Sequence, residues 1–242
     1  MKRADIAELF RRLAAERPVP ETELDYVNPF TLLVAVVLSA QATDASVNEA
    51  TRDLFKVTDS PQKMLALGEA RLRESIKRIG LYRNKAKNVI ALSKILADSY
   101  GGKVPRARDA LEALPGVGRK TANVVLNVAF GEKTIAVDTH IFRVANRTGL
   151  APGKTPREVE DRLVAIVPDD YALHAHHWLI LHGRYVCVAR KPLCPVCVVR
   201  DLCRYPHKTE EGGPVKEKPA GKKKATKPSL ARAGSRGSSR GR

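Results

Sequence analysis

Apolar residues recur at helical spacing along most of the chain. Ile6, Leu9, Phe10 and Leu13 share one face of a helix over residues 4–16, with Asp5 as candidate cap and Pro18 and Pro20 past its end. Asn28-Pro29 reads as an N-cap followed by proline in the first turn. The helix it opens, 30–40, is apolar all round, the mark of a buried helix. Gln41-Ala42-Thr43-Asp44 forms a turn, and Thr43 or Asp44 caps a helix through Phe55. Ser60-Pro61 starts a short helix; the period returns over 72–79, and Gly80 stops it. The stretch 80–86 opens a helix to Leu96, and a short one capped by Asp109 holds Leu111 and Leu114. A largely buried helix fills 120–130 and ends at Gly131. Asp138 or Thr139 caps 141–146, Thr155-Pro156 opens a helix to Val167, and a last long one spans 171–184. The only strand candidate is 134–137. Nine or ten short helices with short loops predict an all-α fold.

One interruption of this pattern carries candidate chemistry. In Leu114-Pro115-Gly116-Val117-Gly118-Arg119-Lys120-Thr121, two glycines let the backbone turn tightly just before a helix begins. Unpaired amides at a helix N-terminus form an anion site. Lys120 stands in that first turn, where the helix dipole disfavours a cation. A positive neighbourhood lowers a lysine pKa and frees the amine as a nucleophile. The plainer role is a lysine that binds phosphate or faces solvent. A weaker echo, Gly80-Leu81-Tyr82-Arg83-Asn84-Lys85-Ala86, puts Leu81 at the tip of a second turn, either exposed there or folded back onto the core.

Composition and charge narrow the partner. The chain has 242 residues, 43% of them hydrophobic, enough for one large or two small domains. A net charge of +17 and a pI of about 10.0 call for a polyanion, either nucleic acid or an anionic membrane surface. The longest apolar run, 30–38, is too short to span a bilayer. Met1-Lys2-Arg3 leads into an amphipathic segment rather than an apolar leader, so a cytoplasmic location is expected. From 208 to 242 glycine, serine, proline, lysine and arginine dominate, which predicts a disordered basic tail, either a loose hold on nucleic acid or a solubilising extension.

All four cysteines lie in one run, Cys187-x6-Cys194-x2-Cys197-x5-Cys203. In a reducing compartment such clustering favours metal over disulfides. Four thiolates can wrap one zinc ion or one iron–sulfur cluster, and the uneven spacing favours the cluster. Arg184, Arg190, Lys191, Arg200 and Arg204 surround the run and would offset its negative charge, face phosphates, or simply decorate a solvated loop.

Two signatures coincide: LPGVGRKTAN, with VDTHIFRVANR placing an aspartate eighteen residues past the lysine, and the cysteine run. With LSAQATD at 38–44 and HHWLILHGRYVC at 176–187, they resemble the bacterial endonuclease III family of helix-hairpin-helix DNA glycosylases and abasic-site (AP) lyases, over about residues 1–207. The resemblance implies base excision repair on double-stranded DNA containing oxidised pyrimidines or abasic sites. It makes Lys120 the nucleophile and Asp138 the acid that assists it; for Asp138 a helix cap is the plainer role and can coexist. It implies that Gln41 fills the gap left by a flipped base, that Leu81 wedges beside the opposite base, and that Gly116, Val117, Gly118 and Arg119 grip the DNA backbone. His140 contacts a phosphate or the pocket, or caps its helix. The four cysteines, Cys187, Cys194, Cys197 and Cys203, become ligands of a [4Fe-4S] cluster. The implied fold has two helical domains, a six-helix barrel over 22–132 and a cluster domain of 1–21 plus 133–207, in a monomer with no membrane attachment. Rival readings are an adenine-removing mismatch glycosylase, which lacks the lysine and carries an added C-terminal domain, a non-catalytic DNA-binding protein, and a zinc-stabilised binding module.

Overall fold

A computed structural model describes residues 1–210; most of the basic tail lies outside them. Among the described residues there are thirteen α-helices, a short 3-10 turn at Cys194–Val196 and no strand. The helices are α1 (Arg3–Glu16), α2 (Pro29–Leu38), α3 (Asp44–Thr51), α4 (Leu54–Val57), α5 (Pro61–Leu67), α6 (Glu69–Ser75), α7 (Tyr82–Ser99), α8 (Arg108–Glu112), α9 (Arg119–Phe130), α10 (Thr139–Thr148), α11 (Pro156–Ile166), α12 (Asp169–Ala172) and α13 (Ala175–Tyr185). None is long and apolar enough to cross a membrane.

Local chemistry starts many of them. Asn28, Thr43, Ser60 and Thr155 each accept from the backbone N–H three residues on, at 3.0, 3.2, 3.3 and 3.2 Å. Asp5 closes the start of α1 from the third helical position, as the capping-box partner that accepts from the Lys2 backbone N–H at 3.4 Å, whereas Asp109 is not the cap expected: it lies inside α8, whose N-cap is Ala107.

More helices form than the periodicity predicts, because two long ones are broken. The expected helix through Phe55 ends at Thr51, whose hydroxyl bonds back to the Val47 carbonyl at 2.8 Å, a contact that competes with continuation. The expected helix over 171–184 divides at Leu173, whose carbonyl is taken by the Asn127 side chain of α9 at 2.9 Å. The strand candidate 134–137 has no strand partner. It runs back along α9 instead, with Thr134 Oγ1 donating to the Asn123 carbonyl at 2.6 Å and Asn123 Nδ2 donating to the Ile135 carbonyl at 3.3 Å.

Buried apolar side chains fall into two clusters. The first gathers around α2, buried from Phe30 to Leu38, with Val89, Leu92 and Leu96 of α7 and Val125 and Leu126 of α9. The second joins α1 to the later helices: Ile6, Leu9, Phe10 and Leu13 meet Ile141, Val144, Leu163 and Trp178. Phe10 stacks on Tyr171 at 6.0 Å, and Trp178 Nε1 donates to the Arg17 carbonyl at 2.8 Å, so the first helix closes against nearly the last. The seam between the clusters passes beside both α9 and α10.

Candidate functional site

The hairpin rises on buried leucines. Leu111, Leu114 and Val117 all belong to the first core. Val117 is 6% exposed and its N–H donates to the Leu114 carbonyl at 3.1 Å. Its side chain and amide are therefore both used internally, and Val117 anchors the turn instead of offering itself to a phosphate. Gly116 has φ +78°, and a Cβ there would fall 2.8 Å from Asn88 Nδ2 of α7, so glycine is required twice over. Gly118, the N-cap of α9, faces open space: a Cβ there would meet nothing within 4 Å. Glycine brings no side-chain acceptor, so the first amides of α9 stay uncapped beside that space, as an anion cradle requires.

Lys120 is exposed in the first turn of α9. Asp138 is the N-cap of α10, where one oxygen, Oδ1, accepts from the amides of His140 and Ile141 at 2.9 Å each. Among the described residues neither Lys120 Nζ nor Asp138 Oδ2 has a hydrogen-bond or ion-pair partner. The return segment runs back along α9 from Thr134 and Ile135, beside Asn123, towards the end of the helix that carries Lys120, and it ends at Asp138. The charge of Lys120 is felt across the seam at His176 of α13, where burial first, then His177 and Lys120, hold the imidazole well below its usual range. Lys120 in the first turn of α9 and Asp138 at the start of α10 thus each keep a side-chain atom unpaired among the described residues, and Lys120 lies close enough to buried His176 for its charge to register there.

Gln41 and Leu81 stand together on another edge. Both are non-glycine residues in the left-handed region, at φ 54° and 60°. A Cβ on Gly80 would lie 3.9 Å from the Gln41 carbonyl oxygen, so the two turns touch. Gln41 is exposed, and Leu81 is 58% exposed, not folded back onto the core. Strained backbone holding an exposed leucine beside an exposed amide is a costly arrangement that packing does not explain.

His140 is half-buried. Its Nδ1 lies 3.2 Å from Arg143 Nη2, and since guanidinium only donates, that ring nitrogen accepts and Nε2 carries the hydrogen. Arg143 also donates to the carbonyls of Gly183 at 2.8 Å and Cys187 at 2.9 Å. Sequence reasoning missed Arg143 and its neighbour Arg147; both lie on one face of α10, but nothing local shows which carbonyls they reach.

Two arginines land elsewhere than expected. Arg119 grips Glu160 of α11 through Nη2 at 2.7 Å and Nε at 3.0 Å, instead of standing free for a DNA backbone. Arg184 turns from the cysteine run to Glu23 and Asp44 across the seam, where Tyr185 also donates to Glu23.

The four cysteines form no disulfide with one another, are each half-buried, and all line one cavity with Arg147, His182, Leu193 and Tyr205. Arg147 Nη1 donates toward Cys187 Sγ at 3.7 Å, the Tyr205 amide donates to Cys203 Sγ at 3.5 Å, and His182 Nε2 lies 3.6 Å from Cys197 Sγ. Burial pushes the Cys197 thiol up to about 11 and raises Cys187, which Arg147 opposes. Among the described residues no three metal-ligating side chains close up as around a single ion. Four sulfurs ringing one cavity, two with N–H donors beside them and a third beside an imidazole nitrogen, fit a polynuclear cluster that meets each ligand at its own corner.

Residues 34–169 match the HhH-GPD superfamily of base excision DNA repair proteins, and residues 187–203 match the iron-sulfur binding domain of endonuclease III. The chain is 56% identical to endonuclease III of Escherichia coli strain K12 over 210 residues, covering 87% of this chain and 100% of that protein. It is 58% identical to endonuclease III of Rickettsia conorii over 200 residues, 83% of this chain and 95% of that one. In three dimensions it resembles the structure of a trapped endonuclease III–DNA covalent intermediate, with a TM-score of 0.79 and 47% identity over 84% of this chain and 96% of the other.

Proposed function

The chain belongs to the endonuclease III family within the HhH-GPD base excision repair superfamily, and from that premise we propose that Lys120 and Asp138 carry out its reaction. It is a bifunctional DNA glycosylase and abasic-site lyase, acts on DNA, and carries a [4Fe-4S] cluster. The adenine-glycosylase and binding-only alternatives are not favoured. The single observation that carries the residue assignment is that Lys120 Nζ in the first turn of α9 and Asp138 Oδ2 at the start of α10 are both left without a partner among the described residues.

The chemistry follows from those two groups. Asp138 takes a proton from the Lys120 ammonium, and the amine attacks C1′ of the deoxyribose while the damaged base departs with the bond electrons. The sugar ring opens to an imine between C1′ and Nζ. That imine acidifies the C2′ hydrogen; its removal expels the 3′ phosphate and cuts the strand. Water then hydrolyses the imine and returns the lysine. The amides of His140 and Ile141 fix Asp138 Oδ1 and leave Oδ2 for the proton. When bound, the cluster cross-links Cys187, Cys194, Cys197 and Cys203 and so folds the last loop.

The remaining assignments belong to the same proposal. The uncapped amides behind Gly118 and the Gly116 turn hold a backbone phosphate, with His140 Nε2–H as a further donor. Gln41 and Leu81 enter the duplex, their exposure and left-handed backbones supporting that role. Oxidised pyrimidines and abasic sites are the substrates, and the protein acts as a cytoplasmic monomer. Two separate cores support domains of 22–132 and of 1–21 plus 133–207.

The test is borohydride trapping. An oligonucleotide with one abasic site or one thymine glycol, reduced during reaction, captures wild-type protein as a covalent adduct. Lys120→Ala forms none. An adduct that survives this substitution places the nucleophile elsewhere.

A further inference from the structure

Arg119 precedes the proposed nucleophile by one residue and belongs to a basic hairpin, yet its guanidinium is committed to protein. Three contacts join it to Glu160: Nε to Oε1 at 3.0 Å, Nε to Oε2 at 3.1 Å and Nη2 to Oε1 at 2.7 Å. The Glu160 side chain is 9% exposed, and Arg119 is its only ion-pair partner among the described residues. A carboxylate at such a position is costly unless its partner is fixed, because desolvation offsets much of the attraction. A second acid, Glu112 of α8, lies 3.9 Å from Nη1 on the outer side. The pair also spans the seam. Glu160 sits on α11 among residues of the second core, whereas α9 and the hairpin pack in the first. Among the described residues the Arg184 cluster with Glu23 and Asp44 also bridges the two cores, and an exposed pair, Lys133–Asp169, lies past the far end of α9. Among the described residues the Arg119–Glu160 pair is thus the ionic tie from the N-terminal end of α9 to the opposite core, beside Lys120. Gly118 adds no capping bond that would brace that end locally.

We propose that Arg119 is a positioning residue: by gripping Glu160 across the seam it holds the N-terminus of α9, and with it Lys120, at a fixed separation from Asp138. The DNA phosphate then meets the uncapped amides of the hairpin and not this guanidinium. This inference rests on the assignment of Lys120 and Asp138 given above.

The test compares Arg119→Met and Glu160→Gln in the full-length, cluster-loaded protein. Two readouts separate positioning from phosphate contact: the single-turnover rate of borohydride-trapped adduct on an abasic duplex, and the Kd and salt slope for a duplex carrying an uncleavable tetrahydrofuran site. Both variants are expected to lose about tenfold or more in the adduct rate, the scale at which a misplacement of about an ångström acts. Binding stays within about twofold, and the salt slope is unchanged because no phosphate contact is lost. Glu160→Gln is decisive, since it removes no positive charge and needs no refolding around a lost arginine. A wild-type rate in Glu160→Gln overturns the inference, and so does a salt slope reduced by about one in Arg119→Met. Lys120→Ala run in parallel separates the two levels: an adduct from that variant sinks the assignment of the nucleophile, whereas its absence with unimpaired Glu160→Gln sinks only the role of Arg119.

Discussion

The contact between α10 and α13 has almost no slack at His140, two residues past the proposed catalytic carboxylate of Asp138. Gly183 is buried, and a Cβ there would lie 2.8 Å from His140 Cβ and 3.1 Å from the His140 carbonyl oxygen. Carbon atoms rest about 3.5–4.0 Å apart, so Gly183→Ala must part the helices by roughly 0.7–1.2 Å at this point. Overpacking of this kind costs about 1–3 kcal/mol. At about 2–4 °C per kcal/mol for a chain of this size, the melting temperature falls by roughly 2–12 °C. Catalysis suffers more. His140 supplies one of the two amides that hold Asp138 Oδ1, and its ring meets Arg143, which also bonds the Gly183 carbonyl. A shift of about an ångström at reacting groups costs up to about a hundredfold in rate. Thermal melting, iron content and the single-turnover adduct rate are measured together. The expected result is a folded, cluster-loaded protein with a modest loss of stability and a rate at least about tenfold lower. A wild-type rate in a protein whose melting temperature has dropped as predicted would falsify the claim that this packing orients Asp138.

Two other consequences are open to test. Leu81→Asn replaces a residue strained by its left-handed backbone with one that tolerates it, a gain of about 1 kcal/mol or less, so the melting temperature rises slightly while binding to an abasic-analogue duplex weakens; destabilisation instead would mean that the leucine is packed. Burial first, then His174, lowers His177 from 6.5 to about 4, so the unfolded chain takes up that proton before the folded one. The resulting stability is intact above pH 6.5 and is lost as pH falls towards about 4; urea unfolding across that window shows a shallower fall in His177→Gln, and parallel curves would remove His177 as a source of acid sensitivity.

What the sequence reveals and what it hides divide along a physical line. Asn28, Thr43, Ser60, Asp138 and Thr155 are legible as caps because a cap is a bond within one turn. Gly116 is legible because only glycine takes its backbone angle at no cost. The breaks at Thr51 and Leu173 are not foreseen by periodicity; the second is made by Asn127, 46 residues away in sequence. Long basic side chains are the least legible of all. A charge of +17 predicts a polyanion, but not which cations face it. The structure sorts them by whether a carboxylate answers. Arg119 is answered by Glu160, and Arg184 by Glu23 and Asp44, all on the far side of the seam. Lys120, one residue from Arg119, is answered by none. Adjacent residues on one helix thus serve opposite ends. The arginine's charge is used up holding the two cores in register, while the lysine's side chain and the second oxygen of Asp138 are left unpaired among the described residues.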